Sequence, residues 1–351
     1  MLDLKAHLRT LTETHAPSGH EAPIRAVVAD AWRELVDLME QDKLGSLIGI
    51  KKATQPLDPP RKIMLCAHMD EIGLMVADII DGFIAVHRIS GVDNRIMPAQ
   101  PVMVHGRRPL PGIVAAKPPH LLTTAMRTRY PAMHDLLIDV GLPAAEVAEL
   151  VQIGDLITMD APMIDLLGER VAGKAMDDRA CVAAVTVCLH QLQRMHHQWD
   201  VYAVASVQEE TGLYGAATAA YQIAPDAAVA LDVSFAPQPG VDSTDTTEMG
   251  NAVPVGVGPN FHPKMLEKLR ESAKRAEIRL QNDLIPAESG TDAWSIQVAR
   301  EGIPTLLIGV PIRNMHSPVE TADLRDIDRA GRLMAAFIAD LDESFLAAVL
   351  G

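Results

Sequence analysis

A chain of 351 residues is longer than one hydrophobic core usually organises, so two domains are expected. Its formal net charge of −15 excludes a nucleic-acid backbone or an anionic membrane surface as the main partner. Aromatic residues make up only 3 %, too few for a base-stacking platform, whereas the many aliphatic residues suit a sheet covered by helices.

In chain order, Leu4, Leu8 and Leu11 at helical spacing predict a first helix, and Asp3, Lys5 and Arg9 argue against a signal-peptide core or membrane span there. After the turn-prone APSGHE, the stretch PIRAVVADAWRELVDLME has the length and period of a second helix. EQDKLGSLIGIKK then leads from a polar turn into a strand. The proline-rich ATQPLDPPRK gives way to IMLCAHMDEIGLMV, an apolar run ending in a charged, histidine-bearing turn, as a buried parallel strand does. From about Ile79 to Asp165 the texture changes to short alternating runs such as GFIAVHRIS, PVMVHG, PGIVAAK, LLIDVG and DLITMDAP, separated by Gly and Pro. This predicts a barrel-like β region with one short helix in LPAAEVAELV. From about Gly168 onward, helical segments such as DDRACVAAVTVCLHQLQRMH and GLYGAATAAY alternate with the strands VYAVASVQ, DAAVALDVSF and IPTLLIGVP. The expected fold class is α/β: a mainly parallel sheet flanked by helices, formed by residues 1–71 and 166–351, with a small β-barrel-like domain inserted at 72–165.

Cys66 lies in an apolar run, Cys181 and Cys188 are spaced for one helical face, and there is no Cys-x-x-Cys pair. Cys181 and Cys188 read as small buried side chains, and the three cysteines together fit a reducing, cytoplasmic setting, with neither disulfides nor a thiolate zinc site.

The chemistry collects at strand ends. IMLCA delivers His68 and Asp70, VYAVASVQ delivers the adjacent Glu209 and Glu210, AAVAL delivers Asp232, and PTLLIGVPIRNM is followed by His316. Ligands of open α/β sheets bind outside the carboxyl ends of the strands, so these groups are expected at one crevice. Asp177 joins them at the mouth of a helix, where the dipole tolerates an acid. Two histidines and three carboxylates fit two divalent metals: His68 and Asp232 on one, Glu210 and His316 on the other, with Asp177 bridging. Glu209 is left uncoordinated as general base, and Asp70 is a partner that orients His68. Asp178 and Arg179 read as a capping acid and a surface ion pair, and His87, His105, His190, His196 and His197 as ordinary histidines.

AHMDEIGLMV, GKAMDDRA, QEETGLYGA, ALDVS, SGTDAWSI and MHSPVE resemble, in order and spacing, the tetrahedral (TET) aminopeptidase family of dinuclear metallopeptidases. Its members are glutamyl or leucyl aminopeptidase-like and often labelled endoglucanases or cellulases. The resemblance runs nearly end to end. It implies a catalytic domain of the zinc-peptidase, phosphorylase/hydrolase-like class, interrupted by a dimerisation domain. It also implies two zinc or cobalt ions, dimers assembled into a dodecamer, and removal of the N-terminal residue from short peptides with a free N-terminus. Matched position by position, the metal ligands fall on His68, Asp177, Glu210, Asp232 and His316, the general base on Glu209 and the histidine-orienting acid on Asp70. Ser289 and Trp294 depart from the family pattern around the substrate pocket, and Ser46 departs at a local turn.

Two other classes compete. A carboxylate pair could cleave a sugar link without metal, as in an endoglucanase-like glycoside hydrolase, but sugar-stacking aromatics are few. A non-catalytic assembly protein of the same fold would show loss of a ligand or of the base, and none is lost.

Overall fold

The computed structural model describes residues 2–115, 117–242 and 246–350. Helix α1 (Leu4–Glu13) starts where Asp3 accepts the N–H of Ala6 at 3.0 Å, and it buries Leu8 and Leu11. Helix α2 (Ala22–Trp32) has proline in its first turn and anchors itself through the fully buried Trp32.

The second helix is shorter than its periodicity predicts. It ends at Trp32, and the residues read as its last turns become strand β1 (Leu38–Gln41), antiparallel to β2 (Leu47–Lys51). The N–H of Asp37 is taken by the Ile50 carbonyl at 2.8 Å, which draws the chain into the sheet, and pairing overrides helical propensity. Asp42 closes the connecting turn by accepting the N–H groups of Leu44, Gly45 and Ser46.

Strand β3 (Lys62–His68) leads directly into a closed six-stranded barrel. Its strands are β4 (Gly73–Ile80), β5 (Phe83–Ile89), β6 (Pro101–His105), β7 (Pro109–Ala115), β8 (Leu137–Asp139) and β9 (Leu156–Met159), in the order β4-β5-β8-β7-β6-β9. The predicted PGIVAAK run is strand as far as Ala115, and Ala116 lies outside the described residues. Alternation does the sorting: Leu110 and Val114 face the barrel core while Ile113 faces out. Two short helices, α3 (Thr124–Arg127) and α4 (Ala144–Leu150), decorate the barrel, the second where LPAAEVAELV predicts one.

After β10 (Ile164–Asp165) and β11 (Arg170–Gly173) comes α5 (Met176–Leu192), buried along most of its length. The α/β order then continues with β12 (Asp200–Ser206), α6 (Glu209–Gly212), α7 (Tyr214–Ile223), β13 (Ala227–Phe235), β14 (Val253–Val257) and α8 (Pro263–Arg275). It closes with β15 (Leu280–Leu284), α9 (Asp292–Ile296), β16 (Thr305–Ile312), β17 (Glu320–Asp323), α10 (Leu324–Ala339) and α11 (Glu343–Leu350). The eight-stranded sheet runs β1-β2-β12-β3-β13-β16-β14-β15. Its centre, β12-β3-β13-β16, is parallel; β1-β2, β2-β12 and β16-β14 are antiparallel, and the outer pair β14-β15 is parallel again. The main core lies between this sheet and α5, α8 and α10. Gly331 lets α10 approach α5, because a Cβ there would overlap Val187 and the Ala184 carbonyl.

The three cysteines are free and buried, as expected for Cys181 and Cys188. Asp178 and Arg179, read as a capping acid and a surface pair, are both fully buried. Arg179 donates to the carbonyls of Met69, Leu11, Thr14 and Ala16 and pairs with Glu71, so it ties the end of α1 to the turn after β3. The Leu11 carbonyl belongs to the last turn of α1 and the others lie beyond regular helix or strand, so all four need a donor inside the core, which a local sequence pattern does not reveal. Among the described residues no helix is long and apolar enough to cross a membrane.

Candidate metal centre

The four parallel strands at the middle of the sheet end on the same side, and each delivers a group there. His68 closes β3, Glu209 and Glu210 open α6 just past β12, Asp232 lies on β13, and His316 follows β16. Register sets their heights. His68 pairs with Ser206, and Asp232 stands two residues past Ala230, which itself pairs with Cys66 two residues before His68. His68 and Asp232 therefore share one level and one face of the sheet.

Asp177 lies between the two histidines. Its Oδ1 is 3.1 Å from His68 Nε2, and its Oδ2 is 3.2 Å from His316 Nε2. Glu210 Oε1 is 3.5 Å from the same His316 nitrogen, while Glu209 Oε2 is 3.7 Å from His68 Nε2. Among the described residues, three sets have donor atoms within 4.8 Å of one another: His68 with Asp177 and Glu210, His68 with Glu209 and Asp232, and Asp177 with Asp178 and Asp232.

The charges in this cluster oppose one another. Burial raises Glu209 to about 10, with Asp232, Asp292 and Glu210 adding to it and His68 working against it. Burial and the Asp177 charge bring Glu210 to about 7. Burial, with Asp177 and Asp292, also pushes Asp232 well above the usual carboxylate range. Asp177 is equally buried, yet its bonds to His316 and His68 hold it below its ordinary value. The donor set fits two divalent cations of the zinc or cobalt kind, because imidazoles and carboxylates are their ligands and positive charge relieves the repulsion. Asp178 Oδ1 and His68 Nδ1 are also buried without completing a hydrogen bond.

A model of the M42 glutamyl aminopeptidase family matches residues 45–333. The chain belongs to this family. This M42 member is 39 % identical over 343 residues to a lysyl aminopeptidase of Pyrococcus furiosus, covering 95 % of this chain and 96 % of the relative. Among solved structures it aligns with aminopeptidase APDkam598 from the archaeon Desulfurococcus kamchatkensis at a TM-score of 0.91 and 37 % identity, covering 99 % and 98 % of the two chains. The Pyrococcus horikoshii TET1 peptidase, described as able to assemble into a tetrahedron or a large octahedral shell, aligns at 0.84 and 27 % identity, covering 96 % of this chain and 99 % of that one.

Around its cluster the M42 chain places several groups with no role in the sequence reading. Ser18 donates to Asp70 at 2.6 Å, and Asp70 lies 3.4 Å from His68 Nδ1. Glu320 accepts the N–H of Asp177 at 3.1 Å and that of His316 at 2.7 Å, so one buried carboxylate holds the backbone of both. Asp292 accepts from Ser206 at 2.6 Å and from the Cys66 thiol at 3.4 Å, behind Glu209 and Asp232. The acid that closes MHSPVE and the acid inside SGTDAWSI were visible signals. Their targets are distant in sequence and could not be read. Of the remaining histidines, His105 hydrogen-bonds Thr158, which also bonds His15.

Proposed function

We propose that this chain is a dinuclear metallo-aminopeptidase that removes the N-terminal residue from short peptides with a free N-terminus. The observation that carries this reading is Asp177, which turns one carboxylate oxygen to each of two histidines. A carboxylate so shared suits a pair of cations and has no comparable use in sugar hydrolysis. In this reading His68 and Asp232 would hold one ion, Glu210 and His316 the other, and Asp177 would be shared between the two. Two cations bound there, zinc or cobalt, would polarise the scissile carbonyl and acidify the attacking water.

The chain's own residues do the rest. Glu209, beside His68 but assigned to neither ion, takes the water proton on a carboxylate oxygen and delivers it to the departing amine. Asp70 keeps the His68 ring in place from behind.

The likeness to an assembling peptidase supports self-association, from a dimer towards a dodecamer, and the inserted segment 72–165 is assigned to pairing subunits. Ile80, Phe83 and Ile113 on the barrel strands are exposed apolar side chains that suit such a contact. Light scattering on the metal-loaded protein checks it, since a monomer would refute pairing.

For the reaction, an aminoacyl-p-nitroanilide panel with EDTA, zinc and cobalt arms is the test, with N-acetylated substrates and a cellulose substrate as controls. The expected result is metal-dependent release from free amino termini only. Asp177→Asn should lose metal before it loses activity, and two equivalents retained after gel filtration would remove Asp177 as bridge.

A further inference from the structure

We propose that Ser90, carried by the inserted barrel, is a positioning residue for the Glu210–His316 half of the metal centre. The barrel thus completes a site to which it contributes no ligand. The inference rests on the reading that Glu210 and His316 share one ion.

Ser90 follows directly on Ile89, the last residue of β5. Its hydroxyl donates to Glu210 Oε2 at 2.6 Å, a short hydrogen bond between residues 120 positions apart. The other oxygen, Oε1, faces His316 Nε2 at 3.5 Å. One end of the carboxylate is thereby fixed, and the free end is aimed at its partner. The next residue acts on that partner, because a Cβ on Gly91 would overlap His316 Nδ1. Two consecutive barrel residues therefore meet both donors of the same half, one by a bond and one by leaving room.

The backbone at Ser90 argues in the same direction. Its φ is 62°, in the left-handed region that glycine enters freely and other residues enter at a cost. Serine here adopts an unfavourable backbone conformation and places its hydroxyl on the Glu210 carboxylate.

The test compares Ser90→Gly with Ser90→Ala in the full chain. Both remove the hydroxyl, but glycine relaxes the backbone whereas alanine keeps it constrained. Zinc affinity is measured by chelator competition, with metal counted per chain, alongside thermal unfolding of the metal-free protein and kcat and KM of the loaded enzyme. The expected result is that both variants weaken one of two zinc ions about 10-fold, leave the other near wild type, and lower kcat more than they raise KM. Gly91→Ala, which displaces His316, should weaken the same ion.

Wild-type affinity for both ions in Ser90→Gly would overturn the proposal. So would equal weakening of both ions, or a defect confined to the alanine variant, since each makes Ser90 a general structural residue. A wild-type chain that holds fewer than two ions would overturn the dinuclear reading itself, and this inference with it.

Discussion

The carboxylate of Asp70 accepts the backbone N–H of Glu209 at 3.1 Å. The accepting oxygen also lies 3.4 Å from His68 Nδ1, while the second oxygen accepts the N–H of Glu210 at 3.3 Å and takes the Ser18 hydroxyl. One fully buried acid thus positions the proposed base, a proposed ligand on each half and the turn that joins them. Burial opposes its charge, but His68, Ser18 and the Glu209 N–H hold Asp70 below its usual value. Asp70→Asn puts an NH2 group where only acceptors fit. It should lower kcat by about 10–100-fold, with a smaller change in KM and metal still bound. Steady-state kinetics with metal counting provides the check, and an unchanged kcat would dismiss the positioning role.

Glu209→Gln keeps the shape and removes the basicity. Turnover should fall by about 10²–10⁴-fold while both metals stay, because Glu209 is assigned to neither. Substantial residual activity in a fully metallated variant would assign the proton transfer elsewhere.

Glu71 sits fully inside the protein and receives Lys174 through both carboxylate oxygens, Arg179 at 3.3 Å and the Ala16 N–H at 2.9 Å. Glu71→Gln strands two buried cations and should cost about 3–5 kcal/mol of stability. Lys174→Met removes one cation and leaves Glu71 paired with Arg179, so it should cost less. Urea denaturation of the two variants tests the order, and the reverse ranking would discard this account of the network.

Metal uptake should depend on pH with a definite sign. The bond to Asp177, with Glu210 adding to it and burial opposing, raises His316 to about 9, and burial raises Glu210 to about 7. Both groups therefore hold protons in the metal-free protein at pH values below these figures, and a cation must displace them. Affinity should rise as pH increases from 6 towards 9, with net proton release. Titration calorimetry in buffers of different ionisation enthalpy measures that release, and its absence at pH 7 would contradict the assignment.

Much of this protein was legible in local sequence. Apolar runs leading to His68, Glu209–Glu210 and Asp232 marked parallel strands with the candidate site residues towards their carboxyl ends, because burial dictates the run and the open end of the sheet tolerates the charge. The short alternating runs marked the barrel for the same reason, since a period of two follows from strand geometry alone.

Tertiary structure decided the rest, through contacts whose partners are far apart in the chain. Ser90 meets Glu210 across 120 positions, Ser206 meets Asp292 across 86, and Arg179 reaches carbonyls at the end of α1. The segment Leu38–Gln41 carries a helical pattern yet forms an edge strand, because the hydrogen-bond partners offered by Leu47–Lys51 outweigh a weak local preference. Residue type and spacing determine which groups can bear charge at a strand end. Which distant hydroxyl, amide or carboxylate satisfies that charge depends on how the layers pack, since a buried polar group takes whatever partner the fold brings within hydrogen-bonding distance.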